Sequence, residues 1–589
     1  MMSQLIINRR TLGVTFTADH QANVVVWVPQ AKEVALSING HAINLPLTKG
    51  SSGYWQLTTD QLKPGDTYKF VLDNEKEWAD PTSLLQPQGV YGPSQAFDTK
   101  YVYWEDSSWV NPPIDEYIVY DINIHTFTAE GTLKAIVGKL SHIKKLGVNA
   151  ILIRPVTPFP DSRNQNLEAA FLFAVQASYG GPGQLQRLVN ACHFEGLSVI
   201  LDLPYKQVNQ SEYVLSEGSV FSARKLTADR SKAESGNEAS REAYGRHLVE
   251  NALMWFRDFH VDALRLENVH TLPDADQLLR TIREQTNALT AQTGRQHYLL
   301  IEQDMTLMPS GTKQSDREKK NISDHQQKLS GKSCNAYYMD FNHNRHKTKQ
   351  YRKDCLCDST FSTILQELFE READTASDDA FVTILQTYHQ TDKEQLSEHS
   401  DREIDGEFVK LVAGSIMVSP CIPTLFMGEE WGVTSPFQKL THSEPVLAAS
   451  EPVELTENRD ELMLVLPWES LNEIPNQTLY RYYQSLTALR RKQPALYHLN
   501  PKQARVIYQD GESTLFLHRS YKTNHVLCLM NFSSEKQTVT LPALGKNWQK
   551  LLDSADPIWN GPEASPELLT DASQLTLQPE SIVVYKGGV

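Results

Sequence analysis

Two short apolar runs each lead into a carboxyl-bearing residue: Ala263-Leu264-Arg265-Leu266 into Glu267, and Leu299-Leu300-Ile301 into Glu302. Hydrolysis of a glycosidic bond needs such a pair on opposite sides of the bond. One group is protonated and donates to the leaving oxygen, and the other is ionised and acts as nucleophile or base. Asp202 follows Val199-Ile200-Leu201 in the same way, and Gln386-Thr387-Tyr388-His389 follows Ile384-Leu385. Taken singly, a carboxylate at a strand end has a plainer role: it pairs with an arginine or accepts a backbone N–H. Asp202 and Arg265 can satisfy each other in this way, and His389 can be a hydrogen-bonded histidine with no role. The combination is more telling, because Arg265 lies two residues from Glu267, on the same face of a strand, where its charge favours an ionised carboxylate.

The elements that position these residues follow from periodicity. Residues 1 to about 105 hold short alternating segments, such as Asn23 to Val28 and Thr67 to Leu72, separated by turns at Lys49 to Gly53 and Lys63 to Asp66. That spacing predicts an immunoglobulin-like β-sandwich over residues 1–105. Trp27, Trp55 and Tyr68 sit within this alternation, which favours core packing over a sugar-binding face. Beyond residue 115, apolar strands alternate with helical stretches, the pattern of parallel βα units. Leu133, Ile136, Val137, Leu140, Ile143 and Leu146 recur at helical steps and end at Gly147. A second helix through Leu185, Leu188, Val189 and Cys192 ends at Gly196; both glycines stand where helix C-terminal glycines belong.

Strand candidates are Ile118–Ile122, Val148–Ile153, Leu197–Leu201, Val261–Leu266, Tyr298–Ile301, Phe381–Leu385 and Thr424–Met427, close to the eight of a (β/α)8 barrel. A doubly wound open sheet is the competing architecture. Segments Asn209 to Arg241 and Thr306 to Ser333 are rich in polar residues and read as mobile barrel loops. After a long helix near Leu479 to Lys492, alternation returns in Ser513 to His518 and Val526 to Asn531. The expected division is therefore a sandwich over 1–105, an α/β barrel over 106–496 and a C-terminal all-β domain over 497–589.

Composition excludes several classes. The chain has 589 residues, 56 basic and 72 acidic, and a net charge of −16, which repels nucleic acid and anionic membrane surfaces. No apolar run has the length of a signal sequence or a membrane span, so a soluble, cytoplasmic protein is expected. Six cysteines make no disulfide framework, and the Cys355/Cys357 pair lacks companions at metal-ligand spacing, so no metal is expected. No glycine-rich nucleotide-binding loop follows any strand, and no cofactor is expected.

A series of motifs runs in order along nearly the whole chain: Ala79-Asp80-Pro81 through Gln86-Pro87, Gly89-Val90-Tyr91-Gly92-Pro93-Ser94, His125-Thr126-Phe127-Thr128, Arg154-Pro155-Val156, Tyr179-Gly180-Gly181-Pro182 and Gly428-Glu429-Glu430-Trp431-Gly432. With Asp202, Arg265 and Glu302, this series resembles the α-amylase superfamily of glycoside hydrolases. Within the superfamily it is most similar to the maltooligosyltrehalose trehalohydrolases. The resemblance implies a (β/α)8 barrel flanked by two β-domains, an α-glucan or maltooligosyltrehalose-like oligosaccharide as ligand, and an enzyme partner in trehalose or glycogen metabolism.

The same resemblance assigns roles, with departures. Glu302 stands at the general acid. Glu267 stands where the family carries a nucleophilic aspartate, and His389 where it carries a transition-state-stabilising aspartate. Gln207 and Tyr388 occupy positions of substrate-binding histidines, while Asp202, Arg265 and His270 match the family's substrate-side residues. The tyrosine that forms a platform for the reacting sugar falls within Gln165-Asn166-Leu167-Glu168, which holds no aromatic residue. Lengthening an aspartate to a glutamate moves a carboxylate by one methylene, and a misplacement of about 1 Å can cost on the order of 100-fold. Exchange of the stabilising anion for imidazole removes an electrostatic contribution of about 3–4 kcal/mol. The reading that follows is a trehalohydrolase-like protein with greatly reduced or lost hydrolysis, which binds glucan or protein. The alternatives are an active hydrolase using Glu267 and Glu302, and a changed chemistry in which they form a base and acid pair, with His389 titrating near neutral pH.

Overall fold

A computed structural model describes residues 7–41, 44–74, 76–90, 92–158, 171–205, 235–267, 269, 272, 275–302, 336–339, 382–386, 406–433, 465–499, 503–510, 514–541, 547–570 and 574–587. The N-terminal part is two facing antiparallel sheets. One has the order β1 (Gly13–Phe16), β2 (Ala22–Trp27), β6 (Tyr54–Thr59), β5 (Thr48–Lys49). The other has β4 (Leu45–Pro46), β3 (Val34–Ile38), β7 (Thr67–Leu72), β8 (Lys76–Trp78), with β9 (Ser94–Gln95) also on β7. Alternate residues of β2 and β3 turn inward, so Val24 and Val26 from one sheet meet Leu36, Ile38 and Phe70 from the other in one core. Trp55 and Tyr68 are buried there, Trp27 is buried in a separate cluster with Tyr54, Ala243 and Tyr244, and each spends its polar atom internally: Trp27 on Ser52 O at 2.8 Å, Trp55 on Val28 O at 2.9 Å and Tyr68 on Asp80 Oδ2 at 2.7 Å. They are core residues, as their alternation implies.

The central part is a closed barrel of eight parallel strands: β10 (Val119–Asn123), β11 (Ala150–Arg154), β12 (Ser198–Pro204), β13 (Ala263–Glu267), β14 (Tyr298–Glu302), β15 (Ala336–Met339), β16 (Val382–Gln386) and β17 (Ile422–Phe426). The ladder between β10 and β17, with Val119 opposite Thr424, closes the ring and excludes the open sheet. Seven strands match the apolar runs in the sequence to within a few residues. The eighth, Ala336–Met339, escaped because it is four residues long and begins only three residues after the polar segment that ends at Ser333.

Successive strand residues point to opposite sides. Ile151, Ile153, Val199, Leu201, Leu264, Leu266, Leu299 and Ile301 face the surrounding helices. Val119, Ala150, Leu152, Ile200, Ala263, Leu300 and Ile422 fill the lower interior.

The stretch Leu133 to Leu146, expected as one helix, is two, Leu133–Val137 and Leu140–Leu146, separated at Gly138 and Lys139. Apolar spacing carries across such a break, so periodicity alone does not reveal it. Gly147 and Gly196 end their helices in the left-handed conformation, at φ 94° and 80°. The helix Ser235–Phe259 begins inside the segment read as a loop over Asn209 to Arg241; the rest of that segment, and Thr306 to Ser333, lie outside the described residues.

The C-terminal part is a six-stranded antiparallel sheet, β18 (Ala504–Asp510), β19 (Thr514–Tyr521), β20 (Asn524–Asn531), β25 (Ser581–Gly587), β22 (Trp548–Asp553), β23 (Leu568–Leu569), with a smaller sheet of β21 (Gln537–Thr540) and β24 (Gln574–Leu577). Phe516, Leu529 and Val583 of the first meet Val539 and Leu575 of the second in their shared core. Among the described residues, no helix is long and apolar enough to cross a membrane.

Candidate active site

The interior series of the first four strands changes from apolar to charged as it climbs toward the C-terminal end. Above Val119 comes Asp121, above Leu152 comes Arg154, above Ile200 comes Asp202, and above Ala263 come Arg265 and Glu267. Register sets these residues side by side. Asp202 pairs with Arg265 across β12 and β13, and Pro204 with Glu267.

Arg265 donates from Nε to Asp202 Oδ1 at 2.8 Å, with both side chains nearly inaccessible to water. Burial pushes the Asp202 carboxyl above its usual range; Arg265 opposes that rise, the Glu267 charge adds to it, and Arg154 opposes it from farther away. Glu267 is half-buried at the rim.

Glu302 ends β14. The last register pair between β13 and β14 is Leu266 with Ile301, so Glu267 and Glu302 each stand one residue beyond it on neighbouring strands. Adjacent strands lie about 4.8 Å apart, so this register makes the two carboxyl-bearing positions neighbours. Gln207, His270, Tyr388 and His389 lie outside the described residues.

Sequence reasoning overlooked a second charge pair in the same interior layer. Arg154 donates from Nε to Asp121 Oδ1 at 3.0 Å and from Nη2 to Oδ2 at 2.6 Å, a fork-to-carboxylate geometry. Its signals were present: Asp121 interrupts the apolar run Val119 to Ile122, and Arg154 directly follows Ala150 to Ile153. Two arginines, Arg154 and Arg265, thus stand among three carboxyl groups, Asp121, Asp202 and Glu267.

The carboxylates after β17 have a different role. Glu430 is fully buried and accepts from the Tyr120 hydroxyl at 2.8 Å and the Gly428 N–H at 2.9 Å, with the His142 ring nitrogen at 2.9 Å. Glu429 Oε2 accepts from the Phe426 N–H at 3.0 Å. Both fasten the turn that closes the barrel. Among the described residues, no group of three His, Cys, Asp or Glu side chains is placed to hold a metal ion.

A closed parallel barrel behind a two-sheet N-terminal domain has counterparts in known proteins. Residues 11–87 match the family described as carbohydrate-binding module 48 (isoamylase N-terminal domain), and residues 90–213 the alpha amylase catalytic domain. The chain is similar to a malto-oligosyltrehalose trehalohydrolase of Arthrobacter ramosus, 28% identical over 80% of this chain and 87% of that one. A second malto-oligosyltrehalose trehalohydrolase, from Saccharolobus solfataricus, is 30% identical over 72% of this chain and 74% of its own. The crystal structure of apo pullulanase from Paenibacillus barengoltzii superposes with a TM-score of 0.72 at 17% identity, covering 98% of this chain and 94% of that one. Sequence likeness across most of both chains and a shared three-part architecture lead to one assignment: the chain belongs to the malto-oligosyltrehalose trehalohydrolase family of the α-amylase superfamily of glycoside hydrolases.

Proposed function

We propose that this protein is a trehalohydrolase-like α-glucan-binding protein in which glycoside hydrolysis is greatly reduced or lost. The observation that supports it best is Glu267 at the end of β13, at the position where the resemblance expects an aspartate. Its extra methylene carries the carboxylate away from the place a one-carbon-shorter side chain would put it, at a cost on the order of 100-fold for about 1 Å. His389 at the stabilising position adds a second loss, and the two need not sum because such groups act as a unit. Asp202 and Arg265 then serve as a paired wall of a glucan-binding mouth. The enzyme partner implied by the resemblance is part of the same reading, and so is a cytoplasmic location.

The register supports a second reading. Glu267 and Glu302 stand at neighbouring positions, and retaining hydrolysis needs two carboxyl groups about 5–5.5 Å apart. In that reading the protein releases trehalose from maltooligosyltrehalose, with Glu267 as nucleophile and Glu302 as general acid. Trehalose release by the purified protein, beside a Glu302→Gln control, separates the two. No release from either is the expected result; release that vanishes in the control makes the protein a hydrolase and overturns the first reading.

A further inference from the structure

Residues 99–106 run as a strap across the outer wall of the barrel, over the helix Gly181–Glu195. Two amide side chains of that helix fasten it: Gln186 Nε2 donates to Thr99 O at 2.7 Å, and Asn190 Oδ1 accepts from the Glu105 N–H at 2.9 Å. At the end of the strap, buried Asp106 takes two bonds from Arg295, at 2.8 and 2.9 Å, and lies 2.9 Å from ring nitrogens of both His193 and His260. Trp104 stacks on His260 with centroids 3.8 Å apart.

Alternation along this anchored strap turns Trp104 and Asp106 inward and Tyr101, Tyr103 and Glu105 outward. Tyr103 is 85% exposed and Tyr101 66%, the latter with the Arg187 guanidinium 5.6 Å from its ring centre. On the helix, Arg187, Asn190 and Phe194 follow at steps of three and four and share one face, and Phe194 is 84% exposed. These side chains line a groove of about 640 Å³, within the range of ligand sites.

We propose that this groove is a second carbohydrate site, which binds a linear α-1,4-glucan on the outer wall of the barrel, away from the mouth. The chemistry of the lining selects the occupant. Three large rings are held outward on a backbone that is already fixed, at little further entropic cost on binding. Between them stand a guanidinium, an amide and carboxylates that donate to and accept from hydroxyl groups. Val102, Val137, Leu140 and Ala191 add apolar surface between the rings, and ring faces edged by such polar groups suit the alternating C–H faces and hydroxyl edges of a glucan chain. Arg187 is balanced by Glu105 and by Glu195, which pairs with Lys144 at 2.9 Å, so the groove favours a neutral ligand. The proposal rests on the family's glucan chemistry but not on whether the mouth turns substrate over.

Hydrogen exchange of the full chain with and without maltoheptaose tests it, together with mobility in native gels containing glycogen. Tyr103→Ala/Phe194→Ala removes two exposed rings and is not expected to perturb folding, which a thermal melt checks. The expected result is protection of residues 99–106 and 187–195 by maltoheptaose, lost in the double variant, and retardation by glycogen weakened about tenfold. Protection confined to the mouth or the N-terminal sheets overturns the proposal, as does unchanged retardation in the double variant or no retardation of the wild type. Loss of self-association in the double variant with glycogen retardation intact makes the groove a protein contact instead. Failure of the mouth reading appears separately, in the trehalose assay with Glu302→Gln, to which these two rings do not contribute.

Discussion

At Asp202 a single methylene-length side chain is held between opposing influences: burial raises its carboxyl, Arg265 counters it, and Glu267 across the strand raises it again. Such a pair adds little net stability, yet removing one partner strands a buried charge. Buried histidines show the pH consequence of burial more simply. Loss of water lowers His247 to about 3 and His297 to about 4. Both bind a proton more weakly folded than unfolded, so the stability they contribute is present above pH 6.5 and lost as pH falls toward those values. His193 runs the other way. Burial opposes its charge, but Asp262 and Asp106 hold it above the usual imidazole range, so its contribution is present below pH 6.5 and lost as pH rises through its folded value. Replacing His247, which sits 4.8 Å from the Phe173 ring centre, isolates one contribution. In urea titrations at pH 7 and pH 5, His247→Phe should lose about 2 kcal/mol less than the wild type between the two pH values.

Helix ends carry the clearest element-scale expectation. Gly147 and Gly196 both have positive φ, but their surroundings differ. A Cβ at Gly196 meets nothing within 4 Å, whereas one at Gly147 would lie 2.5 Å from Thr487 Oγ1, which is itself held by its bond to Leu146 O at 2.6 Å. Gly196→Ala should therefore cost only the left-handed strain, about 1–2 kcal/mol. Gly147→Ala should cost visibly more, because the helix Ile474–Lys492 must also move. Urea midpoints of the two variants compare them directly, and equal losses would mean that Thr487 yields. Both glycines were legible as helix ends in the sequence, since each follows the last apolar step of its helix. The division at Gly138 and the strand Ala336–Met339 were not, because a one-turn break preserves apolar spacing and a four-residue strand leaves too little alternation to read.

Over the whole molecule, buried cations join the barrel to the C-terminal sheet. The helix Gly406–Val418 ends with carbonyls that point toward Arg490 and Arg519. Arg490 donates to Met417 O, to Ser419 O at 3.1 Å and to Cys421 O at 2.6 Å, and Arg519, on β19, donates to Val418 O at 2.8 Å and His498 O at 3.0 Å. A cation at a helix C-terminus meets its carbonyl dipoles favourably, but burial lowers the Arg490 guanidinium to about 9, a measure of how completely it has left water. Arg519→Met, which keeps the bulk and removes the donors, should leave two carbonyls without partners at about 1–3 kcal/mol each, a loss read in urea unfolding. A loss below about 1 kcal/mol would mean that water replaces these bonds and that the junction is held by apolar contact alone.

What the sequence determined by itself is local or carried by resemblance. Apolar runs ending in Asp202, Glu267 and Glu302 marked the strands and the candidate carboxylates, glycines marked helix ends, and the ordered motifs marked the superfamily. Alternation shows that a strand has two faces but not which face is inside, and contacts across it depend on register with residues about 30 to 60 positions away. Only the closed barrel therefore decided that Asp121, Arg154, Asp202, Arg265 and Glu267 share one interior series, that Arg265 meets Asp202, and that Glu267 neighbours Glu302. The aromatic strap was invisible for the same reason. Nothing in the spacing of Tyr101 and Tyr103 sets them apart, and only Asp106, bound by Arg295 some 190 residues later and flanked by His193 and His260, fixes the direction in which they point.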